Sequence, residues 1–69
     1  ETDKKQVKRL LEIIPLFEND DESLQYKAAA QQRVSVLLLK QNRDQESFAQ
    51  NAAAYETLKI LGAQREFDI

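Results

Sequence analysis

The sequence predicts an all-α fold. The expected form is a three-helix antiparallel bundle, in which a long helix 2–helix 3 hairpin has helix 1 packed against it. Three observations carry that expectation. The 69 residues include one Gly and one Pro, whereas β-rich chains need a turn roughly every ten residues and draw on Gly and Pro to make them. Ala, Leu, Gln, Glu and Lys, all good helix formers, dominate. Apolar residues also recur at helical spacing in three stretches separated by short polar breaks.

The first helix is expected from about Asp3, as N-cap, to Ile14 or a little beyond. Val7, Leu10, Leu11 and Ile14 share a face with Ile13 and Phe17, and Lys4, Lys5, Lys8, Arg9 and Glu12 lie mostly opposite. Pro15 ends or kinks this helix, because it lacks an N–H and crowds the preceding turn.

Asn19 to Glu22 form the first break. Asn19 as N-cap with Glu22 three residues on resembles a capping box, and the carboxylates suit the positive end of a helix. The second helix should run from about Asp20 to Gln41, on the order of 30 Å. Tyr26, Ala30, Val34, Leu37 and Leu38 form its seam, extended by Leu24, Ala28 and Leu39, while Ala29 and Val36 fall on the far side. A helix apolar nearly all round is buried from more than one direction.

Asn42 to Gln45 make the second break. The third helix is expected from Asp44 to about Leu61, with Gly62 as the residue just past its end. Its expected core seam is Phe48, Ala52, Tyr55, Leu58 and Leu61, with Ala54 alongside, and Ala49, Ala53 and Ile60 form a second stripe. The tail Ala63–Ile69 either prolongs the helix or crosses back. The expectation is one domain over residues 1–69, a piece of a longer chain because it opens on Glu1. Breaks of a few residues set neighbouring helices antiparallel.

Composition excludes several kinds of chemistry. Hydrophobic residues make up 42% and charged residues 32%, too apolar for a disordered segment and too polar for a membrane span. The longest apolar runs, Val36–Leu39 and Ile13–Phe17, fall far short of the roughly 20 residues a spanning helix needs. There is no Cys and no His, so disulfides, thiolate nucleophiles, classical zinc sites and the commonest general base are all missing. The net charge of −2 gives no overall attraction for polyanions.

Asp20, Asp21 and Glu22 lack the ligand spacing and glycine of a calcium loop and are read as helix-capping residues. Glu18, Glu46, Glu56 and Glu66 sit on polar faces or helix ends, with no pocket to raise a pKa. No enzyme, cofactor, metal or small-molecule substrate is expected. The basic face of the first helix has no interleaved aromatics and is interrupted by Glu12, so nucleic acid and membrane are not expected partners either. Tyr26, Phe48 and Tyr55 are assigned to the core.

What remains is apolar surplus. Leu16, Val36, Ile60 and the small residues Ala29, Ala49 and Ala53 lie outside the best seams. Small residues in a stripe let another helix approach closely. The expected function is therefore a non-catalytic protein–protein interaction domain. Its partner is an amphipathic helix of another protein, bound on the flank of helices 2 and 3 by Ala29, Val36, Ala49, Ala53 and Ile60 with Phe67 and Ile69. The alternatives are homo-oligomerisation through the same surface and a small helical chaperone-like protein of a larger assembly. An intracellular setting is the expectation.

Three partial likenesses accompany this reading. Leu10 to Asp21 followed by Ala28-Ala29-Ala30 resembles an armadillo or HEAT helix pair, with its Pro-Leu run, acidic turn and alanine-rich helix, although the third helix does not repeat the pattern. Tyr55, Leu58, Leu61 and Gly62 resemble part of a tetratricopeptide helix, with Phe67 where a small residue is expected. The run Phe48–Leu61 is similar to the small co-chaperones of type III secretion needle subunits. All three families bind proteins.

Overall fold

The computed structural model of the protein describes residues 2–67, with side chains through residue 64. All of its regular structure is helical. Helix α1 spans Thr2–Ile13 and leads into a 3-10 turn at Ile14–Leu16; α2 spans Asp21–Lys40 and α3 spans Asp44–Phe67. The described residues contain no strand. Pro15 therefore ends α1: the chain tightens into the 3-10 turn, with Pro15 where its missing N–H is tolerated, and becomes extended at Phe17.

Helix α2 begins one residue later than the capping box implies. Its N-cap is Asp20, not Asn19, and the Asp20 carboxylate accepts the Ser23 amide at 3.1 Å. Hydrogen bonds from the Ser23 hydroxyl and amide hold the Asp20 carboxyl below its ordinary value. The other end closes in a Schellman motif. The Arg43 N–H reaches the Leu38 carbonyl and the Asn42 N–H reaches that of Leu39, each at 3.0 Å. Asn42 takes the left-handed conformation this needs, at φ 61°. Arg43 then grips Glu46 in the first turn of α3 through one edge of its guanidinium, Nε donating to Glu46 Oε1 at 2.9 Å and Nη2 to Oε2.

The long α2–α3 seam departs most from expectation. Ser47, Ala54, Thr57 and Leu61 of α3 are buried, with Gln50, Ala53 and Gln64 half-buried beside them. Phe48, Tyr55 and Leu58, assigned to the core by their apolarity, are exposed, as is Tyr26 on α2. The seam is too close for aromatic rings. Ser35 and Ser47 clasp each other across it: the Ser47 hydroxyl donates to the Ser35 carbonyl at 2.7 Å, and the Ser35 hydroxyl to the Ser47 carbonyl at 3.0 Å. Deeper in, the Thr57 hydroxyl donates to the buried Gln31 side-chain oxygen at 2.7 Å. Gln64 Nε2 donates to the Asn19 carbonyl at 2.9 Å. Partners rise along α3 as they descend α2 and its approach, so the two helices run in opposite directions.

Gly62 does not stop α3, which continues to Phe67. A Cβ at Gly62 would meet nothing within 4 Å, and nothing after it interrupts the hydrogen-bonded ladder. The tail thus prolongs the helix through Phe67; the Phe67 side chain and Ile69 lie outside the described residues.

Helix α1 packs on α2 and makes no comparable contact with α3. Val7 joins Val34, Leu37 and Leu38 in the core cluster, with Leu10 and Ile14 packed against it. Burial of each large member contributes roughly 1.5–3 kcal/mol. The result is a flattened, elongated molecule of 44 × 19 × 12 Å. Its radius of gyration is 12.8 Å, against about 11 Å for a compact chain of this length.

Candidate docking surface

On α2, at 3.6 residues per turn, Val34, Leu37 and Leu38 beneath α1 lie roughly half a turn from Gln25, Gln32, Val36 and Leu39. The residues that meet α3 (Leu24, Ala28, Gln31, Ser35) lie between these two arcs. On α3 the inward seam is flanked by Ala49, Ala53 and Ile60 on one side and by Phe48, Tyr55 and Leu58 on the other.

The cross-seam hydrogen bonds fix which flank belongs to which face. Gln31 leans on α2 toward Val34, and its partner Thr57 leans on α3 toward Ala53. Ser47 leans toward Leu58, and its partner Ser35 lies on the Leu39 side of Gln31. Ala49, Ala53 and Ile60 therefore share the face that α1 occupies, while Phe48, Tyr55 and Leu58 share the opposite face with Leu39 and Val36.

The expected binding set is thus divided. Ala29 and Val36 belong to the open face; Ala49, Ala53 and Ile60 belong to the α1 side. Ala29, Ala49, Val36 and Ile60 are exposed, and Ala53 is half-buried against α2. They do not form one flank, because the α2–α3 seam runs between the two groups.

The open face holds large apolar groups in water: Phe48 is 76% exposed, Tyr55 62%, Leu39 58%, Val36 47% and Leu58 39%. Its other members are uncharged: Gln25, Ala29 and Gln32 from α2, and Asn51 and Gly62 from α3. Charges stand at its margins, with Arg33 and Lys40 along α2 and the exposed Glu56–Lys59 pair (3.9 Å) along α3. Apolar centre, amides within and charge at the rim is the arrangement of a protein interface.

Other places in the molecule have less to offer a ligand. One depression, of about 440 Å³, is an open groove lined by Thr2, Lys5, Gln6, Arg9, Leu10 and Ile13. All six belong to α1, so no second element converges on a bound molecule as ligand pockets require. Among the described residues no three acidic side chains are grouped to hold a metal ion, and no helix is long and apolar enough to cross a membrane.

Compared with known proteins, the chain matches no family model, and no curated protein or solved structure is similar to it. The likenesses to armadillo or HEAT, tetratricopeptide and secretion co-chaperone helices rest on their own residues alone.

Proposed function

We propose that this domain is a non-catalytic protein–protein interaction module whose docking surface is the open face of the α2–α3 hairpin. In this reading it is a three-helix antiparallel arrangement closed on one side only, with α1 covering one face of the hairpin and the other left for helices of a partner. One observation carries the proposal: Leu39, Val36, Phe48, Tyr55 and Leu58 lie exposed on one charge-free face opposite α1. Single exposed apolar residues are ordinary, but a contiguous group rimmed by polar residues marks a binding surface. Flat helical faces bind other helices through residues spaced as Phe48, Tyr55 and Leu58 are.

The test is a pair of substitutions. At protein concentrations low enough to keep the chain monomeric, Phe48→Asp should leave helicity and melting temperature unchanged while abolishing the fluorescence enhancement of an apolar dye such as anilinonaphthalene sulfonate. Ile60→Asp, on the other side of α3, should leave dye binding in place. If Phe48→Asp unfolds the domain, Phe48 belongs to the core and the reading fails.

A further inference from the structure

We propose that the occupant of the open face is a second copy of this chain, with two hairpins packed face to face about a two-fold axis and α1 of each copy on the outside. This deepens the docking reading and rests on it. The first argument is area. The chain exposes 5211 Å², whereas a compact monomer of 8.0 kDa exposes about 4,450 Å². The surplus of about 760 Å² is close to the 800 Å² or so that each partner contributes to a stable interface.

The second argument is charge. A two-fold axis sets a patch against itself, so any charge on it would meet its own kind. Between Gln25 and Leu39 on α2, and between Phe48 and Gly62 on α3, the face has none. Interfaces between separately stable partners are about as apolar as the rest of a protein surface, whereas homodimer interfaces are more apolar, as a face of Phe, Tyr, Leu and Val without charge is.

The third argument is the core. Among the described residues only six large hydrophobic side chains are buried (Val7, Leu24, Val34, Leu37, Leu38 and Leu61), while ten are exposed. A chain of this size gains little net stability from its own core and commonly makes up the shortfall by association. Two paired hairpins would form a four-helix layer buried between them, the common solution for apolar helix pairs.

The experiment is sedimentation equilibrium of the chain over about a hundredfold range of concentration, with parallel thermal melts. The expected result is a mass rising from 8.0 kDa toward twice that, with a melting temperature that rises alongside. Phe48→Asp and the milder Tyr55→Ser should each weaken dimerisation, the former by at least about thirtyfold, and Ile60→Asp should not. A dimer broken by Ile60→Asp but not by Phe48→Asp overturns the proposed face. A constant mass of 8.0 kDa overturns the second copy as occupant. In that case the docking reading stands if Phe48→Asp still melts like the parent chain, and falls with it if the variant unfolds.

Discussion

The hydroxyl of Thr57 on α3 lies 2.7 Å from the side-chain oxygen of Gln31 on α2, and both residues are buried. The same hydroxyl lies 3.1 Å from the Ala53 carbonyl one turn back. A buried polar pair of this kind is costly to break from one side and cheap to replace from both.

Thr57→Val should therefore lower stability by about 1–3 kcal/mol, because it leaves the Gln31 amide short of a partner in a dry seam. Combining it with Gln31→Leu should recover most of that loss. Urea unfolding of the two single variants and the double variant closes the cycle. Additive losses would mean that the two side chains act independently.

Asn42 is the one described non-glycine residue with positive φ. Asn42→Gly should be neutral or stabilising, since glycine enters the left-handed region without strain. Asn42→Val should cost about 1–2 kcal/mol, because a β-branched side chain crowds the backbone in the left-handed region and lacks the local hydrogen bonding that lets Asn enter it. Chemical denaturation of both variants measures the difference, and equal stabilities would show that the turn can re-form without the left-handed residue.

Gly62 stands in mid-helix with open space where a Cβ would be. Gly62→Ala should raise stability by about 0.5–1 kcal/mol, from helix propensity and a less free unfolded chain. The melting temperature reads this directly. A drop instead would mean that another backbone approaches closely at this point of the open face.

Acid should weaken the fold in a defined window. The Ser23 hydroxyl and amide hold Asp20 below its ordinary 3.8, and the Arg43 guanidinium holds Glu46 below 4.5. A carboxyl depressed in the folded state contributes stability that is fully present above its unfolded value and lost as pH falls through the folded one. The urea midpoint should stay level down to about pH 5 and then decline as Glu46 and Asp20 take up their protons. Glu46→Gln should remove its share of the slope; an unchanged profile would show that the ion pair is absent in solution.

The three helices, the turn at residues 42–43 and the central role of Val34, Leu37 and Leu38 were legible because their signals are local. Spacing sets a helix, and the polar run Asn42-Arg43-Asp44-Gln45 offers a stop that chain geometry can use. The rotation of α3 was not legible from apolarity, which ranks Phe48 and Tyr55 above Ser47 and Thr57. Backbone proximity decides instead. Where Ser35 and Ser47 can satisfy each other's carbonyls, small hydroxyl-bearing residues face inward and rings are turned out to water. The signal was present as a second helical string, Ser47, Gln50, Ala54, Thr57 and Leu61, which matches Ala28, Gln31 and Ser35 on α2 in size and polarity. Because the expected binding set consists of what the apolar seam leaves over, a seam rotated on α3 divides that set between two faces. Gly62 read as a stop because glycine ends many helices, but without a left-handed turn to make, it only weakens the helix it sits in.

The attachment of α1 to α2 alone has a mechanical consequence. Among the described residues no comparable contact with α3 holds it, and the chain after it passes through a 3-10 turn and an extended residue before α2 begins. Such an element can open as a unit while the hairpin stays clasped by its serines, so its amides should exchange with solvent well before those of the hairpin. Opening would bare Val34, Leu37 and Leu38 on the side opposite Phe48 and Tyr55. Under the proposed pairing, the position of one short helix would decide whether the hairpin is adhesive on one side, and able to form a closed pair, or on both, and able to grow into a chain.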